Sequence, residues 1–222
     1  MPTKAVLVRK SRRTFGAHKP KAPFTQGSLG ICITLGGCYA FVIQRRNWRD
    51  KTAIGVHGMR NIYLNGYTIE PITINNLDKY EDVFYCNEEY YIITDGHTAT
   101  KTDCIETIEY SIDGIPKSNI HNIGFCNDEA VACLFLIEGY PCADILWLGL
   151  FLVHNKYKRK HIGSKCIKAL IDSLKETHIT RIRLSVQDNN ISGLSFWKHL
   201  GFSIIAETEC ENFKNLTMEY VL

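Results

Sequence analysis

An apolar segment in the middle of the chain places the strongest constraint on the fold. Residues Asp144 to Val153 read DILWLGLFLV and are apolar after the first position. A strand of this composition has no polar face to turn toward water, so its sheet must be covered on both sides. Because helix patterns alternate with strand patterns along the same part of the chain, the sequence predicts an α/β fold with a mixed sheet.

The elements around this strand follow from periodicity and from capping residues. Alternating apolar residues predict a strand in YTIEPIT, a hairpin in HNIGFCN and EAVACLFLIEGY, and later strands in TRIRLSVQ, SIIAETEC and LTMEYVL. Helical spacing predicts NNLDKYEDVFYCN, TKTDCIETIEYSIDGIP with Thr102 as its cap, and NNISGLSFWKHL with Asn189 or Asn190 as its cap. From Met59 onward the order is β-α-α-β-β-β-α-β-α-β-β.

Charge divides the 222-residue chain into two unequal parts. Residues 1–58 hold eleven Lys/Arg and one acidic residue, Asp50, whereas the remainder holds fifteen Lys/Arg and twenty-two Asp/Glu. This asymmetry predicts a basic N-terminal extension, poorly ordered or appended, before a domain of residues 59–222. Two other interpretations of the extension stay open. The apolar run from Gly27 to Ile43 is at the short limit for a membrane anchor, and the basic residues suit an arm for nucleic acid.

The nine cysteines have irregular spacing and no CxxC pair. Several lie in apolar runs, where a thiol packs as a small hydrophobic group. We therefore expect reduced cysteines in a cytoplasmic protein and no metal site.

The segment that follows Val153 is both basic and amphipathic. It reads NKYKRKHIGSKCIKALIDSLKE, and its apolar stripe (Cys166, Ile167, Leu170, Ile171 and Leu174) predicts a helix that begins near Gly163. The first N–H groups of a helix have no partner within it and lie at the positive end of the helix dipole, so they bind anions. With four cations at positions 156, 158, 159 and 160, the pattern predicts a site for a phosphorylated cofactor. A solvated basic turn is the alternative.

This segment, together with RIRLSVQ and DNNISGLSFWKHLGF, resembles the GCN5-related N-acetyltransferase (GNAT) superfamily. In that family a loop of the form Arg/Gln-x-x-Gly-x-Gly/Ala holds the diphosphate of acetyl-CoA. Here Lys158 takes the first position, His161 takes the place of the first glycine, and Gly163 matches the second. The resemblance implies a GNAT fold: a mixed, mostly antiparallel sheet of six to seven strands with about four helices, splayed between the fourth and fifth strands.

The resemblance also implies a set of residues that contact acetyl-CoA. The strand end is expected to hold its acyl and pantetheine parts, the loop and the helix start its diphosphate, and the next helix the rest. A tyrosine is usual at the position of Trp197, and an indole N–H is not a useful acid. The expected residues are Phe151, Leu152, Val153, Lys158, Arg159, Lys160, His161, Ile162, Gly163, Ser164, Asn190 and Trp197.

The implied reaction is a direct attack of a primary amine, on a small molecule or a peptide, on the thioester of acetyl-CoA. The amine must lose a proton first, for which Glu138 and Asp144 are candidate bases and the loop with Asp95 and His97 a further one. Ser195 or water is a candidate proton donor to the leaving thiol. Acidic residues in EDVFYCNEEYY suit a cationic acceptor.

Two other functions stay open: a catalytically weak acyl-CoA-binding module of the same fold, and a nucleic-acid binder that acts through the basic arm. We expect neither nucleic acid nor membrane as a partner of the acetyltransferase and leave a homodimer open.

Overall fold

The computed structural model describes residues 62–222. The predicted extension of residues 1–58 and the boundary at Met59 lie outside the described residues, so this division of the chain stays a prediction. In the described part, no helix is long and apolar enough to cross a membrane.

Within residues 62–222, seven strands form one mixed sheet, which agrees with the predicted fold class. The strands stand in the order β1-β2-β3-β4-β5-β7-β6, and every neighbouring pair is antiparallel except β4 and β5. Their bounds are β1 Thr68–Pro71, β2 Ile120–Cys126, β3 Ala130–Glu138, β4 Ile145–Val153, β5 Arg181–Gln187, β6 Ser203–Glu209 and β7 Lys214–Val221.

Helices cover both faces of the sheet, as the apolar β4 requires. They are α1 Glu81–Tyr85, α2 Glu88–Asp95, α3 Lys101–Glu109, α4 Ile162–Leu174 and α5 Ile191–His199. One core cluster joins α4 and α5 to Leu146 and Leu148 of β4, and a second joins α1, α2 and α3 to Trp147, Leu150 and Leu152 of the same strand. Strand β4 is therefore the layer that the two cores share.

The helices differ from the sequence prediction in three places, the first of which is that α3 ends at Glu109 and does not continue to Gly114. Helix α2 lies in a stretch that periodicity left outside the predicted helices, because Tyr91 is its only buried residue. The cap of α3 is Thr100 and not Thr102. The Thr100 hydroxyl accepts a hydrogen bond from the Asp103 N–H, and the Asp103 carboxylate accepts one from the Thr100 N–H, which forms a capping box.

Strands β4 and β5 pair at only three positions and then separate. The parallel register runs from Ile145 opposite Arg181 to Trp147 opposite Arg183, while β4 stays paired with β3 up to Val153. This is the predicted splay. At the same level β4 has one extra residue, Gly149, between the two that pair with Leu136 and Phe135 of β3. A Cβ on Gly149 would lie 2.5 Å from the Phe135 ring, so the bulge requires glycine.

Candidate functional site

The splay between β4 and β5 opens into a cleft of about 780 Å³. Its walls are residues 148–153 of β4 and residues 184–187 of β5. Helix α2 and the loop before α4, with the first turn of α4, line it as well, and the two are neighbours, since Asn155 Nδ2 donates to the Cys86 carbonyl just before α2. The side chains that project from α5 complete the lining. The cleft therefore passes between the two strands and reaches the helical layer on each face of the sheet.

The N-terminus of α4 faces this cleft with its N–H groups unused. His161 is the N-cap, its side chain makes no capping hydrogen bond, and the helical ladder starts with the Lys165 N–H donating to the His161 carbonyl at 3.1 Å. The N–H groups of residues 162–164 precede this bond and so have no acceptor within the helix. Together with the helix dipole they form an anion site, and Gly163 and Ser164 both line the cleft.

Of the four cations predicted at this helix start, two line the cleft. Lys158 and Arg159 do so. Lys156 is paired instead with Glu129, with an Nζ to Oε2 distance of 2.7 Å. The Lys160 ammonium lies 5.9 Å from the centre of the Tyr157 ring. Loss of water from around the Lys158 ammonium lowers its pKa, and the neighbouring Cys86 and Glu89 oppose that shift.

The backbone of this loop is left-handed at two residues that are not glycine. Arg159 has φ 59° and His161 has φ 60°. His161 stands where the resemblance predicts a glycine, the residue that adopts such angles without steric cost. The chain therefore keeps the backbone turn that a glycine would provide, with a strained histidine in its place, and the sharp turn ahead of α4 is preserved.

Helix α5 forms the wall nearest the apolar part of the cleft. Asn190 caps it, with its Oδ1 accepting a hydrogen bond from the Gly193 N–H at 2.9 Å. Trp197 is 8% exposed, and its ring contacts Phe151 of β4 and also Phe202, with centroids 6.0 and 5.1 Å away. Trp197 thus serves both as a core residue and as part of the cleft wall.

Most of the predicted cofactor residues come together in the cleft. Ten of the twelve line it. The two that do not are Lys160 and Ile162. Ile162 is the first residue of α4, and its side chain is buried in the core. Ser195, the candidate proton donor, is exposed on α5 and lines the cleft as well.

The two candidate bases are not among the cleft residues. Glu138, at the end of β3, pairs with His121 at 3.4 Å and His178 at 3.8 Å. Asp144 accepts a hydrogen bond from the Arg181 guanidinium at 2.5 Å, which lowers the pKa of its carboxyl. Both residues lie at the hairpin between β3 and β4, at the opposite end of these strands from the cleft. We assign the proton-removing role to neither. Asp95 and His97 do not line the cleft either.

Several cleft residues were not predicted from the sequence. Tyr90 and Thr94 come from α2, the helix that periodicity did not reveal, and Gln187 comes from the end of β5. Glu89 of α2 also lines the cleft, and it is one of the acidic residues of EDVFYCNEEYY that the sequence suggested for a cationic acceptor. Asn87, at the start of α2, donates from Nδ2 to the carbonyls of Val83 at 2.6 Å and Val153 at 3.1 Å. It thereby ties α1 and α2 to the free end of β4.

Comparison with known proteins identifies the family. The sequence profile of the acetyltransferase (GNAT) family matches residues 80–202, from α1 to the end of α5. The chain belongs to this family. The members of the GNAT family are acetyl-transferring enzymes that use acetyl-CoA.

Individual GNAT relatives are more distant. Spermine/spermidine N(1)-acetyltransferase of Bacillus subtilis (strain 168) is 33% identical over 75 residues, which are 33% of this chain and 49% of that protein. The chain thus spans about half the length of the curated relatives that it matches.

Solved structures of the GNAT family share the fold at low identity. The acetyltransferase from Thermus thermophilus has a TM-score of 0.58 at 18% identity, covering 70% of this chain and 97% of that chain. The paia N-acetyltransferase from Thermoplasma acidophilum, in complex with coenzyme A, has a TM-score of 0.53 at 19% identity, covering 70% and 99%.

The residues present fit acetyl-CoA in chemical type at each part of the cleft. The uncapped start of α4 with Lys158 and Arg159 suits a diphosphate. The apolar wall that Phe151, Leu152 and Trp197 form suits the pantetheine arm. A Cβ on Gly163 would lie 3.3 Å from Phe196 and 3.4 Å from Val153, so a larger residue there would crowd the helix start against its neighbours.

Strain at His161 gives a first testable expectation. His161→Gly should raise the free energy of unfolding by about 1 kcal/mol, because glycine adopts the left-handed backbone without steric cost. His161→Ala is the control: it removes the imidazole but keeps a Cβ, so its stability should stay close to that of the parent. Denaturant unfolding of the three proteins measures the difference, and a less stable His161→Gly protein would contradict this account of residue 161.

Proposed function

We propose that this protein transfers the acetyl group of acetyl-CoA to a primary amine of a small molecule or a peptide. The observation that carries the proposal is the junction of the β4–β5 splay with the uncapped, basic start of α4. A splayed pair of strands supplies free main-chain donors, and the helix start supplies an anion site. Both features open into one cleft.

Bound acetyl-CoA supplies a thioester carbonyl that a neutral amine attacks. On the side that faces β5, the main chain of β4 from Leu148 onward has no strand partner. Its N–H groups on that side are free to donate to a carbonyl oxygen, and such fixed donors stabilise the charge that develops on it. Asn87 holds the Val153 carbonyl at 3.1 Å, which keeps the free end of β4 in place.

Proton transfer to the leaving thiol does not require a strong acid. A thiol has a pKa near ~8.5, so a thiolate is a tolerable leaving group without a strong acid. The Ser195 hydroxyl is exposed and lines the cleft, whereas the Ser192 hydroxyl of the same helix, which also lines it, donates to Asn190 Oδ1 at 3.2 Å. Trp197 packs in the wall and takes no part in proton transfer.

Glu89 is the carboxylate that we propose for the acceptor amine. Among the residues 62–222, it is the Asp or Glu side chain that lines the cleft, and it lies on α2, on the other face of the sheet from α4 and α5 and near the Lys158 ammonium. A free amine is mostly protonated at neutral pH, so it arrives as a cation and has to lose a proton. Glu89 attracts that cation and takes up its proton, directly or through water.

Cationic amines are the first acceptors to assay. The acidic residues of α2 favour them, and the similar Bacillus subtilis proteins carry spermine and spermidine in their names. The similarity covers 33% of this chain, so it guides the choice of the assay panel and not the choice of a single substrate.

Calorimetry with acetyl-CoA on the full chain, followed by thiol-release assays over a panel of amines, tests the proposed function. We expect binding of acetyl-CoA and amine-dependent release of the thiol. Binding without release over the whole panel would support the alternative of a catalytically weak acyl-CoA-binding module. No binding of acetyl-CoA would refute both functions.

The two cleft cations provide a test of the diphosphate site. Lys158→Met and Arg159→Met should each weaken the affinity for coenzyme A by about tenfold, because each removes a charge-assisted hydrogen bond. Lys168→Met is the matched control, since Lys168 is an exposed lysine of α4 outside the cleft. Equal dissociation constants for all four proteins would show that the diphosphate binds elsewhere.

The role of Glu89 predicts a selective loss of activity. Glu89→Gln should lower kcat/KM for a cationic amine by about a hundredfold, because it removes both an exposed charge pair and the group that takes up the proton. The affinity for coenzyme A should not change. Glu88→Gln is the control, because Glu88 is the adjacent exposed acid of α2 and does not line the cleft. An equal effect of both substitutions would mean that only the overall charge of α2 matters.

A further inference from the structure

Gln187 is a buried amide on the wall of the cleft with no hydrogen-bond partner. It is the last residue of β5 and is 3% exposed, and neither its Nε2 nor its Oε1 makes a hydrogen bond within residues 62–222. A buried polar side chain normally has at least one partner, and an unpaired one destabilises the protein that contains it. Packing and hydrogen bonding within the fold therefore do not explain a glutamine at this position.

The neighbouring polar side chain does not relieve this situation. Asn215 of β7 stands directly opposite Gln187 in the register and also lines the cleft. Its Nδ2 donates to Cys210 Sγ at 3.4 Å instead. The two amides thus lie side by side on adjacent strands with no hydrogen bond between them.

The alternation of β5 places Gln187 on the face of the sheet that α1, α2 and α3 cover. Ile182, Leu184 and Val186 belong to the core cluster with α4 and α5. Successive side chains of a strand point to opposite faces, so Gln187 points away from that cluster. On the same side α2 brings Glu89, the proposed contact of the acceptor amine, to the cleft. Gln187 therefore lies on the face of the sheet from which Glu89 reaches the cleft, opposite the helical layer of α4 and α5.

We propose that Gln187 recognises the acceptor by pairing with a carboxamide or peptide amide next to the reacting amine. A glutamine amide has N–H donors and a carbonyl acceptor. A polyamine chain offers it N–H donors alone, whereas an amide group offers a donor and an acceptor with matching spacing. The proposal rests on the function proposed above and narrows its acceptor to amines that carry an amide.

Binding requires a small movement of the glutamine. Both amide atoms are shielded from solvent in the free protein, so the side chain must turn about its own torsions to meet a ligand. That movement breaks no hydrogen bond within the described residues, because the amide makes none. The hydrogen bonds gained with a ligand are therefore not offset by bonds lost within the fold.

Two amines that differ by one carboxamide test the proposal. Lysine amide is 1,5-diaminopentane with a carboxamide added, and each is titrated calorimetrically into the full chain loaded with coenzyme A. We expect lysine amide to bind about tenfold more tightly than 1,5-diaminopentane. In Gln187→Met, which keeps the volume but removes the amide, that preference should disappear. Gln187→Ala provides the same test if the methionine variant folds poorly.

Stability provides an independent measurement on the free protein. Gln187→Met should raise Tm by roughly 2–4 °C, because it replaces an unpaired buried amide with an apolar group. The matched control is Asn122→Leu, an amide of β2 outside the cleft whose Nδ2 donates to the Ile108 carbonyl at 3.3 Å. That substitution should lower Tm and leave the preference for lysine amide unchanged.

The outcomes separate this inference from the proposed function. Equal affinity of the parent for both amines, or an unchanged preference in Gln187→Met, would overturn the role of Gln187 while leaving acetyl transfer intact. A lower Tm for Gln187→Met would show that the amide stabilises the fold and would also overturn it. If coenzyme A itself does not bind, the proposed function fails, and the amine titrations on the free protein still decide the role of Gln187.

Discussion

The early separation of β4 from β5 is the constraint on which the rest of the structure depends. Main-chain groups within a sheet normally pair on both sides, and those of β4 beyond Trp147 pair only with β3. The extra residue Gly149 lets that pairing continue beyond the bulge, and Asn87 donates a hydrogen bond to the Val153 carbonyl at the free end of the strand. The remaining groups on the open side face a cleft, so the fold and the candidate site have the same origin.

Much of this arrangement could be predicted from local sequence. The apolar β4 and the amphipathic α4 have strong periodic signals, and Asn190 caps α5 as predicted. Hydropathy cannot reveal the splay, because it contains no information about which hydrogen bonds a strand omits. The splay was predicted only through the resemblance of the loop and the two helices to a known family. Helix α2 was missed because a helix with one buried residue leaves almost no apolar stripe.

The candidate bases Glu138 and Asp144 show why a position at a strand end does not place a residue in the cleft. Glu138 and Asp144 both stand at strand ends, as predicted, but a strand has two ends. Since β3 and β4 form an antiparallel hairpin, the end of β3 meets the start of β4, and the cleft opens at the other end of β4. Glu89 was one of the acidic residues suggested for a cationic acceptor, but its place in the cleft depends on how α2 packs and not on any spacing within the chain.

Local rules of structure are obeyed across most of the described residues and are broken around the cleft. The start of α4 has no side-chain cap, Arg159 and His161 are left-handed, and Gln187 is unpaired. Such features destabilise a free protein and cluster where a ligand supplies what the fold omits. An unpaired atom is not sufficient by itself, since the Tyr140 hydroxyl is also buried without a partner and lies outside the cleft. Gln187 differs from Tyr140 because its unpaired amide lines the cleft. It does so on the face of the sheet where the acceptor has to enter.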